Sequence, residues 1–227
     1  MIRLHVLRDG AFRRDARVKS SIADIVAASF VDDVGLLESD FERRDSLYLL
    51  RDERGGVMSF FMVSWGTLEV DGRQVPTLNA GLTAARPDQK GTGTSIRLYR
   101  HAVSEAQERE QVQQRKLIVW GTLASPIAFF IARKVFANLQ PSLDGTYFDD
   151  SEQVARAVRR KLGTAQTAGV HPFVFPRLVA GARFTEAERR RLADVCRAKA
   201  FDLFDRLAID EAQGDRLLFV AAVPAAP

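Results

Sequence analysis

The sequence predicts an α/β fold of the α+β kind: a mixed, mostly antiparallel sheet flanked by helices, with a helical insertion before the last strand. Three observations predict it. Residues 46–85 read as three strands joined by tight turns. A glycine-rich turn at 86–95 then hands the chain to a helix and on to a continuous apolar strand at 116–123, which makes a crossover. Helical patterns fill residues 139–213 before a final strand pattern.

The elements follow in order. IRLHVL (2–7) alternates as a short strand, and SSIADIVAASFVDDV (20–34) carries apolar residues at helical spacing with Ser20 as its cap. SLYLLRD (46–52), VMSFFMVSWGTLEV (57–70) and RQVPTLNAGLTAA (73–85) form an antiparallel meander, its second turn marked by Asp71-Gly72. A helix runs from about Gly93 to Gln113 with Ile96, Tyr99, Val103 and Ala106 on one stripe. KLIVWGTL (116–123) is apolar almost throughout, as a strand covered on both faces requires. SPIAFFIARKVFANL (125–139) opens with a serine cap and a proline at the first helical position. A helix over 151–162, an irregular stretch over 163–184, a long amphipathic helix over 185–209 and a strand within 214–223 complete the chain.

At 227 residues, one domain spanning 1–227 is expected, with 139–213 as its elaboration. Apolar residues make up 46% and charged residues 27%, an ordinary composition for a globular protein. With 33 basic residues against 29 acidic ones the net charge is +4, too small to indicate a nucleic-acid partner. RRDARVK (13–19) and EAERRRL (186–192) read as solvated surface. The single cysteine, Cys196, lies in a helical pattern and has no metal-ligand spacing around it. His5, His101 and His171 are far apart, so no zinc or other metal site is expected. There is no membrane-length apolar run and no apolar signal core at the start, and a cytoplasmic protein is the expectation.

The turn RPDQKGTGTS (86–95) holds the chemistry. A helix start leaves backbone N–H groups unpaired and carries partial positive charge. Glycines let that backbone approach a ligand closely, so the turn can cradle a phosphate, with Thr92, Thr94 and Ser95 adding hydroxyls and Lys90 a charge. A plain turn with helix caps is the competing reading. Two familiar phosphate loops are excluded. A Walker A loop lacks its Gly-Lys-Ser/Thr, and the dinucleotide fingerprint would need glycine where Ile96 stands.

The surrounding order resembles the GNAT superfamily of acyl-coenzyme A-dependent N-acyltransferases. That family has a strand, a proline, Arg/Gln-x-x-Gly-x-Gly/Ala, and a helix with an early leucine. Here Pro87, Lys90, Gly93, Ser95 and Leu98 hold those positions, with Lys90 and Ser95 departing from the pattern. WGTLASPIAFFIARKVF fills the place of the family's buried strand and short helix. The resemblance covers residues 2–137 and the final strand at 217–223.

The resemblance implies acyl transfer, acetyl above all, from acetyl-CoA or another acyl-CoA to an amine, with both substrates bound together. Lys90, Gly91, Thr92, Gly93, Thr94 and Ser95 would hold the pyrophosphate. Leu82, Thr83, Ala84 and Ala85 would pair their backbone with the pantetheine arm, and Thr122 and Ser125 would touch it from the far side. The family's usual glutamate base is missing from strand 77–85. Its usual tyrosine acid is missing from helix 125–137, where Phe129, Phe130 and Ile131 stand. Asn79, His171 and Tyr147 are the candidate catalytic substitutes: an orienting amide, a base and a phenol. HPFVFPRLV (171–179) is expected to wall a pocket, and Trp120 can border it. A small-molecule or peptide amine is the implied acceptor, and neither a nucleic acid nor a membrane is implied as partner. An acyl-carrier protein as donor, a homodimer, and a silent acyl-CoA-binding sensor or scaffold stay open.

Overall fold

The computed structural model describes residues 2–31, 34–164, 166–167, 169–179 and 183–226. Its strands are β1 (Arg3–Leu7), β2 (Phe30–Val31), β3 (Ser46–Arg51), β4 (Val57–Val70), β5 (Arg73–Ala85), β6 (Ile118–Leu123), β7 (Ala137–Gln140), β8 (Val174–Phe175), β9 (Arg183–Phe184) and β10 (Arg216–Ala222). Its α-helices are α1 (Ala16–Ala27), α2 (Val34–Arg43), α3 (Thr94–Gln113), α4 (Pro126–Val135), α5 (Asp149–Leu162), α6 (Glu186–Ala198) and α7 (Leu203–Arg206). The main sheet runs β1-β3-β4-β5-β6-β10-β7, with β8 also pairing β10. Among the described residues only β5 and β6 pair in parallel; the other pairs are antiparallel. The sheet is therefore mixed and mostly antiparallel, as the sequence predicts.

Local chemistry explains these elements. Asp71 and Gly72 both take positive φ (47° and 73°), the conformation of a two-residue hairpin turn, and this sets the β4–β5 register. Along β3, Leu47 and Leu49 face one core while Tyr48 and Leu50 face the other. The sheet is thus covered on both sides, by α1 and α2 on one face and by α3, α4 and α5 on the other. Ser125 caps α4 by accepting from the N–H groups of Ile127 and Ala128.

Three expectations need correction. The first helix spans 16–27 rather than 20–34; Asp15, not Ser20, caps it, accepting from the N–H groups of Arg17 and Val18 at 3.0 Å. Helix 125–139 stops at Val135, because Ala137–Gln140 leave it to pair with β10. Helix 185–209 breaks after Ala198; Ala200 adopts φ 48° and buries Phe201 just beyond it. Helix α2 and strand β7 were not foreseen. The basic stretch 13–19 is more than solvated surface, for Arg13 donates to the carbonyls of Phe41 (2.9 Å) and Arg44 (2.8 Å) and clamps the end of α2.

Two buried carboxylates tie the periphery to the sheet. Glu105 on α3 accepts from Tyr48 Oη (2.8 Å), Arg8 (3.0 Å) and Arg109 (3.0 Å), joining the β1–β3 edge to the helix. Glu188 on α6 accepts from Lys90 Nζ (2.7 Å) and from Arg191 Nε (2.9 Å), and Lys90 also donates to Ser29 Oγ (2.9 Å). Beside this pair β2 and β9 form a second small sheet, the Phe30 and Phe184 rings pack at a tilt with centroids 4.6 Å apart, and Thr185 N–H donates to the Ser29 carbonyl. The elaboration is thereby fastened to the turn that precedes α3.

Burial pushes both carboxyls up. Hydrogen bonds from Tyr48, Arg109 and Arg8 outweigh it at Glu105, and those from Arg191 and Lys90 at Glu188, leaving both below the ordinary value of 4.5. Their stabilisation is therefore full above that value and lost as pH falls through the lowered folded-state values. Urea unfolding between pH 6 and 3 should show this loss, and Glu105→Gln should flatten it. A profile identical in wild type and variant would show that Glu105 is not the group responsible. Across the elaboration, a double-mutant cycle of Lys90→Met and Glu188→Gln should give a coupling of about 1–3 kcal/mol. A coupling near zero would mean the pair does not hold α6 in place.

Candidate functional site

The site is created where β5 and β6 part. Their parallel pairing runs from Thr77–Ile118 to Ala80–Gly121 and ends there. Gly121 permits the last contact: a Cβ on it would lie 2.5 Å from the Ala80 carbonyl oxygen. Beyond that point β5 continues to Ala85, still paired with β4, while β6 continues to Leu123, still paired with β10. An irregularity in the β4–β5 register between Phe61 and Val63 falls at the same level and turns β5 away. The β6-facing backbone groups of residues 81–85 are left facing a gap.

The gap leads into a cleft of about 1190 Å³. One wall is β5 from Gly81 to Ala85; the opposite wall is Thr122, Ala124 and Ser125 with the α4 side chains Ile127, Ala128 and Ile131. At one end lies the start of α3. Among the described residues no side chain caps that helix, which leaves N–H groups of its first turn without partners there. Gly91 and Gly93 hold φ of 85° and 86°, and a Cβ built on either would meet nothing within 4 Å. The turn is therefore open toward the cleft, with bare backbone on its surface. Such a surface suits an anion. Among the described residues eight basic ones border the cleft (Arg43, Arg44, Lys90, Lys134, Lys161, Arg191, Lys199 and Arg216), against the three acidic ones Asp40, Asp45 and Glu188.

Asn79, Leu82, Thr83, Ala84, Ala85, Lys90, Gly91, Gly93, Thr94, Ser95, Thr122 and Ser125 all border this cleft. Several already use their side chains in the fold. Thr83 Oγ1 donates to the Phe60 carbonyl (2.9 Å), Ser125 caps α4, and Lys90 is paired with Glu188. Thr92 does not border the cleft and donates to the Gln89 carbonyl at 2.8 Å. What these positions offer a ligand is mainly backbone.

His171 and Tyr147 lie elsewhere. They pack on each other, ring centroids 5.1 Å apart, and neither borders the cleft. His171 Nε2 lies 2.9 Å from the Gly145 carbonyl oxygen and its Nδ1 accepts from the Phe173 N–H, so both ring nitrogens are engaged. The Tyr147 phenol is raised above its ordinary value, first by burial and then by Glu152, the wrong direction for an acid. In the stretch 171–179 Phe173 and Phe175 are core, and only Leu178 and Val179 reach the cleft. Trp120 borders the cleft as expected, and so does Trp65, under the Arg109 guanidinium at 4.0 Å.

The acidic and basic groups contributed by α2 and α6 escaped the sequence reading. Glu188 stands three residues after the Thr185 cap, where a helix-start glutamate normally turns back to the backbone; here it reaches Lys90 instead. Asp40 belongs to a helix that was not foreseen, and Arg44 follows directly on it. Among the described residues no cluster of three or more His, Cys, Asp or Glu side chains is placed to hold a metal ion.

No family model matches the chain, and no curated protein matches its sequence. Solved structures similar to it include a conserved Enterococcus faecalis V583 protein described as a probable N-acyltransferase. It is 12% identical with a TM-score of 0.44, over 60% of this chain and 32% of that one, so the likeness takes in about a third of that protein's length. A GNAT family N-acetyltransferase of Escherichia coli, YhbS, solved with CoA, is 18% identical with a TM-score of 0.39, over 57% of this chain and 65% of that one. The ribosomal-protein-S18-alanine N-acetyltransferase of Escherichia coli is 10% identical with a TM-score of 0.45, over 100% of this chain and 97% of that one.

Proposed function

We propose that this protein is an acyl-coenzyme A-dependent N-acyltransferase of the GNAT type, a single domain over 1–227 that transfers an acyl group, acetyl in the simplest case, to an amine. One observation carries the reading: the β5–β6 fork opens directly onto an uncapped helix start with two left-handed glycines. A donor with an amide-bearing arm and a diphosphate fits both halves of that arrangement. The arm meets the unpaired edge of residues 81–85, and the diphosphate meets the N–H groups at the start of α3.

In this reading the chain works mainly by placement. The β5 edge holds the thioester extended, and a backbone N–H in the gap faces the carbonyl oxygen as it gains negative charge. The acceptor nitrogen attacks the carbonyl carbon, the C–N bond forms and the C–S bond breaks. The coenzyme A thiol leaves with the proton that the amine gives up. Asn79, bordering the cleft one residue before the last β5–β6 pair, orients the amine or a water. A second reading, a binder without turnover, is favoured by one observation: α4 presents Phe129, Phe130 and Ile131, and Tyr147 lies outside the cleft, so no tyrosine on that helix can serve the leaving thiolate.

Melting temperature is the first test. Saturating acetyl-CoA, longer acyl-CoAs and free coenzyme A should raise it, since each binds the native state only. No shift with any of them would overturn the reading; a shift without coenzyme A release on an amine panel would support the silent binder. Gly93→Val should weaken coenzyme A binding at least tenfold while destabilising the fold by about 1–2 kcal/mol, because a β-branched residue resists the left-handed conformation. Unchanged affinity in a folded variant would remove the phosphate assignment.

A further inference from the structure

Arg44 follows directly on α2 and borders the cleft. Its Nε donates to Asp40 Oδ1 at 2.8 Å, and its side chain is only 13% exposed. Its guanidinium lies close against β5 at Gly81: a Cβ on that glycine would fall 2.4 Å from Nε and 2.6 Å from Cζ. Gly81 is the first β5 residue beyond the last β5–β6 pair. The guanidinium is therefore fixed at the apex of the fork. Its backbone is fixed as well, since the Arg44 carbonyl accepts from Arg13 at 2.8 Å.

The ion pair with Asp40 occupies one edge of this group. Among the described residues nothing bonds the two terminal amino groups of Arg44, and neither is a sealed, solvent-free atom. A planar cation with two parallel donors free in a cleft is a site for a carboxylate, which accepts both at once. A merely structural i,i+4 pair on a helix surface would not need a glycine opposite to admit it, nor lie over the strand at the point of divergence.

We propose that Arg44 binds a substrate carboxylate at the fork. This rests on the acyltransferase reading, which puts the reacting thioester at the same level. The carboxylate is then only a few bonds from the new amide. It belongs either to the acceptor, as in an amino acid, or to the far end of a short acyl group derived from a dicarboxylic acid. Asp40 acts as a positioning residue, holding the guanidinium so that its free edge faces the cleft.

Two matched comparisons on the full chain separate the sources. In the first, acetyl-CoA is saturating and coenzyme A release is followed with a panel of free amino acids against the corresponding amino-acid amides. In the second, affinities of succinyl-CoA and butyryl-CoA are measured by calorimetry. The proposal expects one comparison to favour the carboxylate member at least tenfold. Arg44→Gln should abolish that preference, and Arg44→Lys, which keeps the charge but not the fork, should restore it only in part. Binding of free coenzyme A by each variant reports that it is folded. If coenzyme A binds but neither comparison distinguishes its members, or if the preference survives Arg44→Gln, the carboxylate site is wrong while the acyltransferase reading stands. If no coenzyme A species binds the wild type, both fall together.

Discussion

Everything distinctive in this molecule depends on backbone hydrogen bonds that are not made. A strand inside a sheet normally pairs on both edges, and an unpaired amide away from water costs free energy comparable to a lost hydrogen bond. β5 pairs with β4 along its length but loses β6 after Ala80. The molecule accepts an open edge for residues 81–85 in the middle of its sheet, not at its margin. Such an edge is a template for any extended chain carrying its own amide groups. The uncapped start of α3 repeats the same logic a few residues later, leaving donors without acceptors beside the same cleft.

The elaboration keeps that open geometry defined. A split sheet with a wide cleft has little to hold its two halves, since the cleft itself contributes no contacts. Helix α6 crosses to the turn before α3 through Glu188 and Lys90, and β9 pairs with β2 next to it. The β2–β9 pair joins the chain's first third to its last, and the Lys90–Glu188 pair joins its middle third to the same elaboration. The arrangement also sets the charge of the site. Lys90, the turn's own cation, is balanced by Glu188, so the uncompensated positive charge near the turn comes from backbone N–H groups and from the other basic residues around the cleft.

What could be read from the sequence was whatever is encoded locally. β4 and β5 appear with their predicted limits, because two strand-prone runs on either side of a two-residue positive-φ turn specify both strands and their register. The turn at 90–95 was legible for the same reason, as two glycines before an apolar stripe demand a left-handed entry into a helix. Apart from the Asp15 cap, helix α2 and the break at Ala200, which are local, the failures are long-range. Ala137–Gln140 continue a helical pattern and leave it only because β10 offers an edge. Lys90 and Glu188 meet across 98 residues, and their side chains look like ordinary surface charge in isolation. His171 and Tyr147 were chosen for the chemistry of their side chains, yet the fold uses them as a packed pair beside Phe173. Residue type names what a group can do; only the fold decides where it does it.

The same distinction bears on catalysis. The sheet offers no carboxylate on β5, and the acidic groups bordering the cleft already have partners: Asp40 with Arg44, Asp45 with Ser46 and the Trp65 N–H, Glu188 with Lys90 and Arg191. A strong general base is therefore not built into the walls. Direct attack on a thioester tolerates this, because the leaving thiolate is stable and a fraction of the amine is always unprotonated. The burden shifts to orientation, where effective concentrations can supply most of the needed acceleration. An acceptor held by its carboxylate on a guanidinium packed against the fork would arrive already aligned. Its charge would also be neutralised on the side away from the reacting carbon. The residues that matter for rate in such a site are those that limit freedom, namely the paired strands, Gly81 and the Asp40–Arg44 pair, more than any group that accepts a proton.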